Sequence, residues 1–188
     1  MPQARIKESF ESAGIKSLSA YIWPFFRDVS AQVEVGIDRN ADDLAIVFSL
    51  AMTAQVRQGA VVQAERKAAQ GTPAYLYWFT WKTPALDGTP RSIHSCDLPF
   101  CFDNTDLHEN LTGGGPEPRA LAARVSEAWI HFARFGDPNY AGLPHWPAFS
   151  KESCPTMIFD TQCKSQHNPD KKERQVLAKS PPFLELGQ

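Results

Sequence analysis

The chain has 188 residues, enough for about one domain, with 43% hydrophobic residues, 21% charged residues and a net charge of -2. This near balance of charge excludes the strongly basic surface that a nucleic-acid backbone requires, so no nucleic-acid partner is expected. The apolar runs at 44–52 and 74–81 are far shorter than the roughly 20 residues that cross a bilayer, so no membrane span is expected. The first residues, MPQARIKESFESAG, contain no apolar signal core. The four cysteines allow three disulfide pairings, which the sequence cannot rank, so the cellular compartment is left open.

The first half of the chain has the periodicity of helices. Apolar residues at roughly helical spacing predict one or two short helices over 3–28, ended by Pro24. A second helical pattern runs over 42–70. Gly71 and Pro73 predict its end, because glycine commonly caps a helix and proline cannot continue one.

Two segments are typical of strands. Ala74–Trp81, AYLYWFTW, is an uninterrupted apolar run, as in a strand that is buried on both faces of a parallel sheet. Its aromatic residues are interpreted as core packing in preference to a ligand-stacking surface. Thr156–Thr161, TMIFDT, is the second candidate. Two strands alone do not form a stable sheet of this kind, so the sheet is expected to be incomplete. The expected fold class is α/β, with an incomplete mixed sheet flanked by helices.

A long helix is predicted between the two strands, from Glu117 to Phe135. It follows a surface loop at 113–115 and ends at Gly136, which precedes a turn. The apolar residues expected on one face of this helix are Leu121, Val125, Ala128, Trp129 and Phe132.

Three segments in the second half resemble, in this order, the type-B carboxylesterase family of α/β-hydrolases. The first is RSIHSCDLPFCFDN at 91–104, which follows the strand AYLYWFTW and is similar to H-x-x-[ED]-[LI]-P-F-x-F. The second is AWIHFARFGDPN at 128–139, similar to W-x-x-F-A-[RK]-x-G-[DN]-P-N. The third is WPAF at 146–149, followed by MIFD at 157–160. A lone histidine is more often structural than catalytic, but these surroundings favour a catalytic His94.

The resemblance implies the C-terminal part of an α/β-hydrolase fold, with His94 as the general acid and base of a serine esterase. The implied substrate is a small-molecule carboxylic ester, cleaved through an acyl-serine intermediate without a cofactor or a metal. The expected organisation is a single partial domain over 1–188. It has a helical lead-in at 1–42, the best-matched region at 43–160 and a C-terminal tail at 161–188.

The other parts of the catalytic machinery have no convincing match. Ser12 lies in FESAG, which resembles the nucleophile motif G-E-S-A-G but lacks its first glycine and follows a charged segment instead of a buried strand. No H-G-G-G oxyanion loop and no D-E-G acid turn occurs. We therefore expect a C-terminal fragment that is inactive alone and pairs with a missing N-terminal part or with another chain. The alternative is a non-catalytic binding or interaction module derived from the esterase fold.

The same segment also contains residues that could bind a metal. His94, Cys96, Cys101 and His108 are four potential zinc ligands, but their spacing differs from the paired ligands of short zinc loops. Cys96 and Cys101 are better interpreted as small buried residues, beside core-packing residues at 98–100 and 102. The charged segment 168–174, NPDKKER, is interpreted as a solvated helix start.

Overall fold

The computed structural model of the protein describes residues 56–88, 91–92 and 95–177. Contacts divide the chain into two units, residues 61–169 and residues 1–60 together with 170–188. The helices expected over 3–28 lie outside the described residues, as do Ser12 and His94.

The first described helix, α1, spans Gln58–Ala69 and buries Val61 and Ala64. It ends where the sequence predicts. Gly71 adopts a left-handed backbone with φ of 73°, and its amide donates to the Ala68 carbonyl at 2.9 Å. The glycine thus closes the last turn by the expected capping geometry.

Three strands form one mixed sheet in the order β1-β2-β3. They span Leu76–Phe79, Pro155–Phe159 and Lys164–His167. β1 pairs in parallel with β2, placing Phe79 opposite Phe159, and β2 pairs antiparallel with β3. The parallel pairing agrees with the apolar character of β1 and β2, and every residue of β2 is buried.

The sheet differs from the sequence prediction in two ways. β1 is shorter than Ala74–Trp81, because the amides of Thr80 and Trp81 both donate to the Phe159 carbonyl and end the ladder. β3, which has the sequence KSQH, was not predicted at all. It pairs with β2 through its backbone while its side chains are polar and partly exposed, so no apolar alternation marks it.

Between β1 and β2 the chain forms short helices and then the predicted long helix. The short elements are a 3-10 helix at Ala85–Gly88, α2 at Leu98–Cys101, a second 3-10 helix at Thr105–His108 and α3 at Glu109–Thr112. The long helix, α4, spans Pro116–Phe135. Within the described part of the chain, no helix combines the length and the apolarity needed to cross a membrane.

The packed face of α4 is narrower than the apolar pattern suggests. Leu121, Val125 and Ala128 are buried, whereas Trp129 and Phe132 are 45% and 41% exposed. The two aromatic rings lie at the border of the packed face, where they meet Tyr77 and Tyr75 edge to face.

The core of the 61–169 unit lies between the sheet and α4. Its central aromatic contacts join β1 to α2, since the ring of Phe100 lies 4.9 Å from that of Phe79 and 5.0 Å from that of Trp81. The Trp81 indole also donates to Glu117 at the start of α4 at 3.0 Å. The interpretation of the aromatic strand as core is confirmed for Phe79 and Trp81, both of which are buried.

The last described helix, α5, spans Lys171–Leu177, as the charged segment predicts. The expectation that this segment is solvated is wrong for Asp170, which is 2% exposed. Its carboxylate accepts hydrogen bonds from Arg57 Nε at 2.9 Å, Arg57 Nη2 at 3.2 Å and Arg174 Nε at 3.1 Å. Two arginines replace water around this carboxylate, which is the condition under which a buried charge is tolerated.

Candidate active site

The candidate site is the loop between β1 and α2, which contains His94. Residues 93 and 94 lie outside the described residues, so the structure does not test the role of His94. The residues on either side of it, 91–92 and 95–101, are described.

The segment before His94 is held to the carboxyl end of β1. The Ser92 hydroxyl donates to the carbonyl of Phe79, the last residue of β1, at 2.8 Å. The Arg91 carbonyl accepts from the Thr83 amide and its amide donates to the Gly88 carbonyl, each at 3.1 Å. Three hydrogen bonds therefore fix the chain immediately before the histidine.

The segment after His94 is held to the middle of the same strand. The Tyr77 hydroxyl donates to a carboxylate oxygen of Asp97 at 2.7 Å. Asp97 is the residue that stands at the [ED] position of the motif, and its carbonyl accepts from the amides of Phe100 and Cys101 as α2 begins. Sequence reasoning did not find this bond, although a buried tyrosine hydroxyl generally needs a partner.

Ser95, which follows His94 in the sequence, has a strained backbone. Its φ is 67°, in the left-handed region that side chains other than glycine rarely adopt. Its carbonyl accepts from the Leu98 amide at 3.2 Å, which closes the turn into α2. Strain of this kind persists where the surroundings hold the backbone, and it is frequent at functional sites.

One tyrosine and two cysteines near this loop have raised pKa values. Burial, followed by the hydrogen bond to Asp97, raises the pKa of Tyr77, so its hydroxyl remains a donor at neutral pH. Burial also raises the pKa of Cys101, to about 11, and that of Cys96. Since the thiolate is the reactive form of cysteine, neither residue is suited to be a nucleophile.

Three of the four potential zinc ligands, Cys96, Cys101 and His108, lie among the described residues. Cys96 and Cys101 form no disulfide within the described residues, and Cys96 is buried while Cys101 is half-buried. No three His, Cys, Asp or Glu side chains among residues 56–88, 91–92 and 95–177 come together as a metal site. His94 lies outside the described residues, and the sequence spacing disfavours a zinc site that includes it.

The segment around α2 is less buried than the sequence suggests. Pro99 and Phe100 pack into the core as expected. Leu98 and Phe102, however, are 50% and 74% exposed, so their interpretation as core residues is wrong. A single helical turn can direct only some of its side chains toward α4, and Phe102 follows the end of that turn.

An apolar groove of about 90 Å³ lies between β1 and α4, beside Tyr77. Aromatic rings dominate it, and the residues that line it are Tyr75, Tyr77, Ala128, Trp129, Phe132, Pro138 and Trp146. It borders the Tyr77–Asp97 hydrogen bond, but it is too small for the drug-sized ligands that occupy pockets of several hundred Å³.

Comparisons with known proteins agree with these features. The family model described as "Carboxylesterase family" matches residues 30–177. Para-nitrobenzyl esterase from Bacillus subtilis is 31% identical over 107 residues, which make up 56% of this chain and 22% of that protein. Cocaine esterase from Homo sapiens is 26% identical over 151 residues, or 78% of this chain and 27% of that protein.

A solved structure gives the same result for the fold. A carboxylesterase from Geobacillus stearothermophilus matches with a TM-score of 0.68 and 31% identity, over 85% of this chain and 33% of the other. The chain thus spans between 22% and 33% of the length of these three relatives. Its sheet and helices form part of an α/β-hydrolase fold, which confirms the expected fold class. Since the family model matches well over half of its residues, the chain belongs to the carboxylesterase family.

Proposed function

We propose that the chain carries the proton-transferring histidine, His94, of a carboxylic ester hydrolase. The observation that supports this most is the loop between Ser92 and Asp97, which is anchored to β1 on both sides. A general base must be held in a defined position to transfer a proton, and the described residues before and after His94 are hydrogen-bonded to β1.

The proposed chemistry is acyl transfer from a small-molecule carboxylic ester to serine and then to water. His94 accepts the proton of the serine hydroxyl as its oxygen attacks the ester carbonyl, and then donates that proton to the leaving alkoxide oxygen. Water then attacks the acyl carbon while His94 accepts a proton from it, and His94 donates that proton to the serine oxygen as the carbon–oxygen bond breaks and the carboxylic acid leaves. In this proposal a carboxylate orients the imidazole and backbone amides stabilise the oxyanion.

We further propose that the serine, the acid and the oxyanion amides are supplied from outside this sequence. The absence of G-x-S-x-G, H-G-G-G and D-E-G from the sequence supports this, as does the limited share of each relative that the chain covers. In this view 1–42 is a helical lead-in, 43–160 is the main part of the fold and 161–188 is the tail. The partner is the polypeptide segment that carries the nucleophile.

The first test uses the purified full chain and a fluorophosphonate probe that labels activated serines. We expect no labelling of the folded chain, with Ser12→Ala and His94→Ala as comparison variants. Labelling that disappears in both variants would show that Ser12 is an activated nucleophile and would overturn the assignment of the serine to an outside segment.

The second test asks what His94 does when a nucleophile is present. Residues 57–177 replace the corresponding segment of the Geobacillus carboxylesterase, and hydrolysis of p-nitrophenyl acetate is measured. We expect His94→Ala to lower kcat by at least about a thousandfold, as loss of a triad member does elsewhere. His145→Ala, which alters an exposed histidine, is the matched control and should retain activity.

The chimera also separates the two candidate functions. A chimera whose circular dichroism shows a folded protein, but whose activity is unaltered by His94→Ala, would contradict the proposal. That result would favour the non-catalytic interaction module instead.

A further inference from the structure

The apolar groove between β1 and α4 is bordered by aromatic rings that solvent can reach. Trp129 and Phe132 of α4 are 45% and 41% exposed. Tyr75 and Tyr77, on the β1 side, are partly buried. Exposed apolar side chains that cluster in one place are uncommon on soluble domains and often mark a binding surface. The groove is therefore a candidate site for the recognition of another molecule.

Neighbouring rings of the groove stand nearly perpendicular to one another. The Tyr75 ring lies 5.9 Å from the Trp146 ring and 5.9 Å from the Phe132 ring, at interplanar angles of 79° and 76°. The Tyr77 and Trp129 rings lie 6.1 Å apart at an angle of 81°. These edge-to-face contacts hold the rings in place. Because the walls are already ordered, a ligand would not have to order them on binding.

The volume of the groove favours a compact ring as its occupant. The groove measures about 90 Å³. An engineered apolar cavity of about 150 Å³ in another protein holds benzene. The five-membered ring of proline is smaller than benzene, and its C–H groups can pack on the faces of aromatic rings. A proline side chain thus fits the groove in both size and chemistry.

The surroundings of the groove favour a polyproline II segment over the other common forms of bound peptide. An amphipathic helix needs a groove several turns long, and an added strand needs free backbone groups at a sheet edge. The Leu76 carbonyl of β1 already accepts from the Trp146 indole at 3.1 Å. The Phe79 carbonyl accepts from the Ser92 hydroxyl at 2.8 Å. A polyproline II helix is extended before it binds and loses little conformational freedom, so a small aromatic-lined surface suffices.

Two carboxylates lie beside the groove. Asp137 precedes Pro138, which lines the groove, and its charge acts on the Tyr75 hydroxyl. The backbone amide and the side-chain amide of Asn139 donate to Asp137 at 2.9 and 2.6 Å, which lowers the pKa of Asp137 and keeps it ionised. Asp97 accepts a hydrogen bond at 2.7 Å from a tyrosine that lines the groove. A basic residue next to a bound proline would meet an opposite charge here.

We propose that the apolar groove is a docking site for a proline-rich peptide segment of a partner protein, with a proline ring between the aromatic walls and a basic residue of the peptide near Asp137. The aromatic walls supply the affinity, and the carboxylate supplies the preference for a basic neighbour. The inference goes beyond the proposed function and does not depend on the role of His94.

The test measures the fluorescence polarisation of a labelled peptide of six prolines with one arginine at each end, titrated with the full chain. We expect saturable binding that Trp129→Ala weakens at least about tenfold, because a tryptophan in a small interface commonly dominates its affinity. Phe132→Ala removes a second wall and serves if circular dichroism shows that the first variant is unfolded. Leu107→Ala removes a 79% exposed side chain outside the groove and should leave the affinity unchanged.

Three results of this titration would overturn the inference. The first is no binding to the folded chain, and the second is an unchanged affinity in a folded groove variant. The third is equal binding of a peptide with six glycines in place of the prolines, because that peptide keeps both arginines and would show that charge alone attracts it.

The role of the carboxylate is tested with a change of charge on each partner. Asp137→Asn should weaken binding of the arginine-flanked peptide about threefold, the effect of losing an exposed ion pair. It should not alter binding of the same six prolines flanked by glutamines. Asp106→Asn, which removes a carboxylate that pairs with Arg119, is the matched control and should alter neither titration. Equal loss with both peptides would contradict the role of Asp137.

A second copy of this chain is the alternative occupant of the groove. Sedimentation equilibrium of the full chain and of Trp129→Ala separates it from a peptide partner. We expect a monomer, or an oligomer that Trp129→Ala does not change, since either leaves the groove open. A dimer that Trp129→Ala dissociates would show that a second copy fills the groove and would overturn the inference.

Discussion

Asp170 is a single buried carboxylate on which two arginines converge. Burial alone would raise its pKa, but the hydrogen bonds and charges of Arg57 and Arg174 outweigh burial and lower it. Because the folded-state pKa lies below the unfolded value of about 3.9, the stabilisation is present above that pH. It is lost as the pH falls through the lowered folded-state pKa.

Asp170→Asn should therefore destabilise the chain at neutral pH and reduce its loss of stability in acid. We expect a decrease of about 3 kcal/mol in the free energy of unfolding, since two arginine charges lose a buried partner. Urea denaturation at several pH values measures both effects. Asp106→Asn is the control, because Asp106 pairs with Arg119 on the exposed surface and should have little influence. Equal effects of the two substitutions would contradict this account of Asp170.

Two glycines near the ends of helices, Gly136 and Gly59, differ in backbone geometry. Gly136 ends α4 with φ of 71°, and its amide donates to the Phe132 carbonyl at 2.8 Å. Gly59 lies near the start of α1 and has no positive φ. A Cβ added to either glycine would meet no heavy atom within 4 Å among the described residues outside its own neighbours. The two positions thus differ in backbone conformation and not in available space.

Alanine should accordingly have opposite effects at these two glycines. Gly136→Ala should lower the free energy of unfolding by about 1 kcal/mol, because a Cβ is unfavourable in the left-handed region. Gly59→Ala should raise it by about 0.5 kcal/mol, because alanine restricts the unfolded chain and favours the helix. Thermal unfolding followed by circular dichroism measures both. A stabilising Gly136→Ala would show that the cap does not constrain the end of α4.

Elements were predictable from the sequence where local chemistry alone decides them. The ends of α1 and α4 follow from Gly71 and Gly136, and β2 follows from its apolar run. β3 was missed because its side chains are polar and its position depends on backbone pairing with β2. The burial of Asp170 was missed for a related reason, since Arg57 lies more than a hundred residues earlier in the chain.

At the scale of the whole molecule, the candidate site was only partly visible in the sequence. The order of the motifs indicates the segment around His94, and the structure shows that Ser92 and Asp97, before and after it, are hydrogen-bonded to β1. The Tyr77–Asp97 hydrogen bond could not be predicted from the spacing of residues in the sequence, because Tyr77 belongs to an apolar strand whose pattern predicts core packing. The rule that a buried tyrosine hydroxyl needs a partner would have suggested a bond, but not its partner.

Whether the core around α2 holds the molecule together can be tested with two phenylalanines from the same segment. Phe100 is fully buried and meets the rings of Phe79 and Trp81, whereas Phe102 is 74% exposed. Phe100→Ala should lower the free energy of unfolding by about 3 to 5 kcal/mol, because it removes buried apolar area and leaves a cavity. Phe102→Ala should change it by no more than about 0.5 kcal/mol. The urea midpoints of the two variants, measured on the full chain, provide the comparison. Similar midpoints would mean that Phe102 is covered in solution and that the core extends beyond α2.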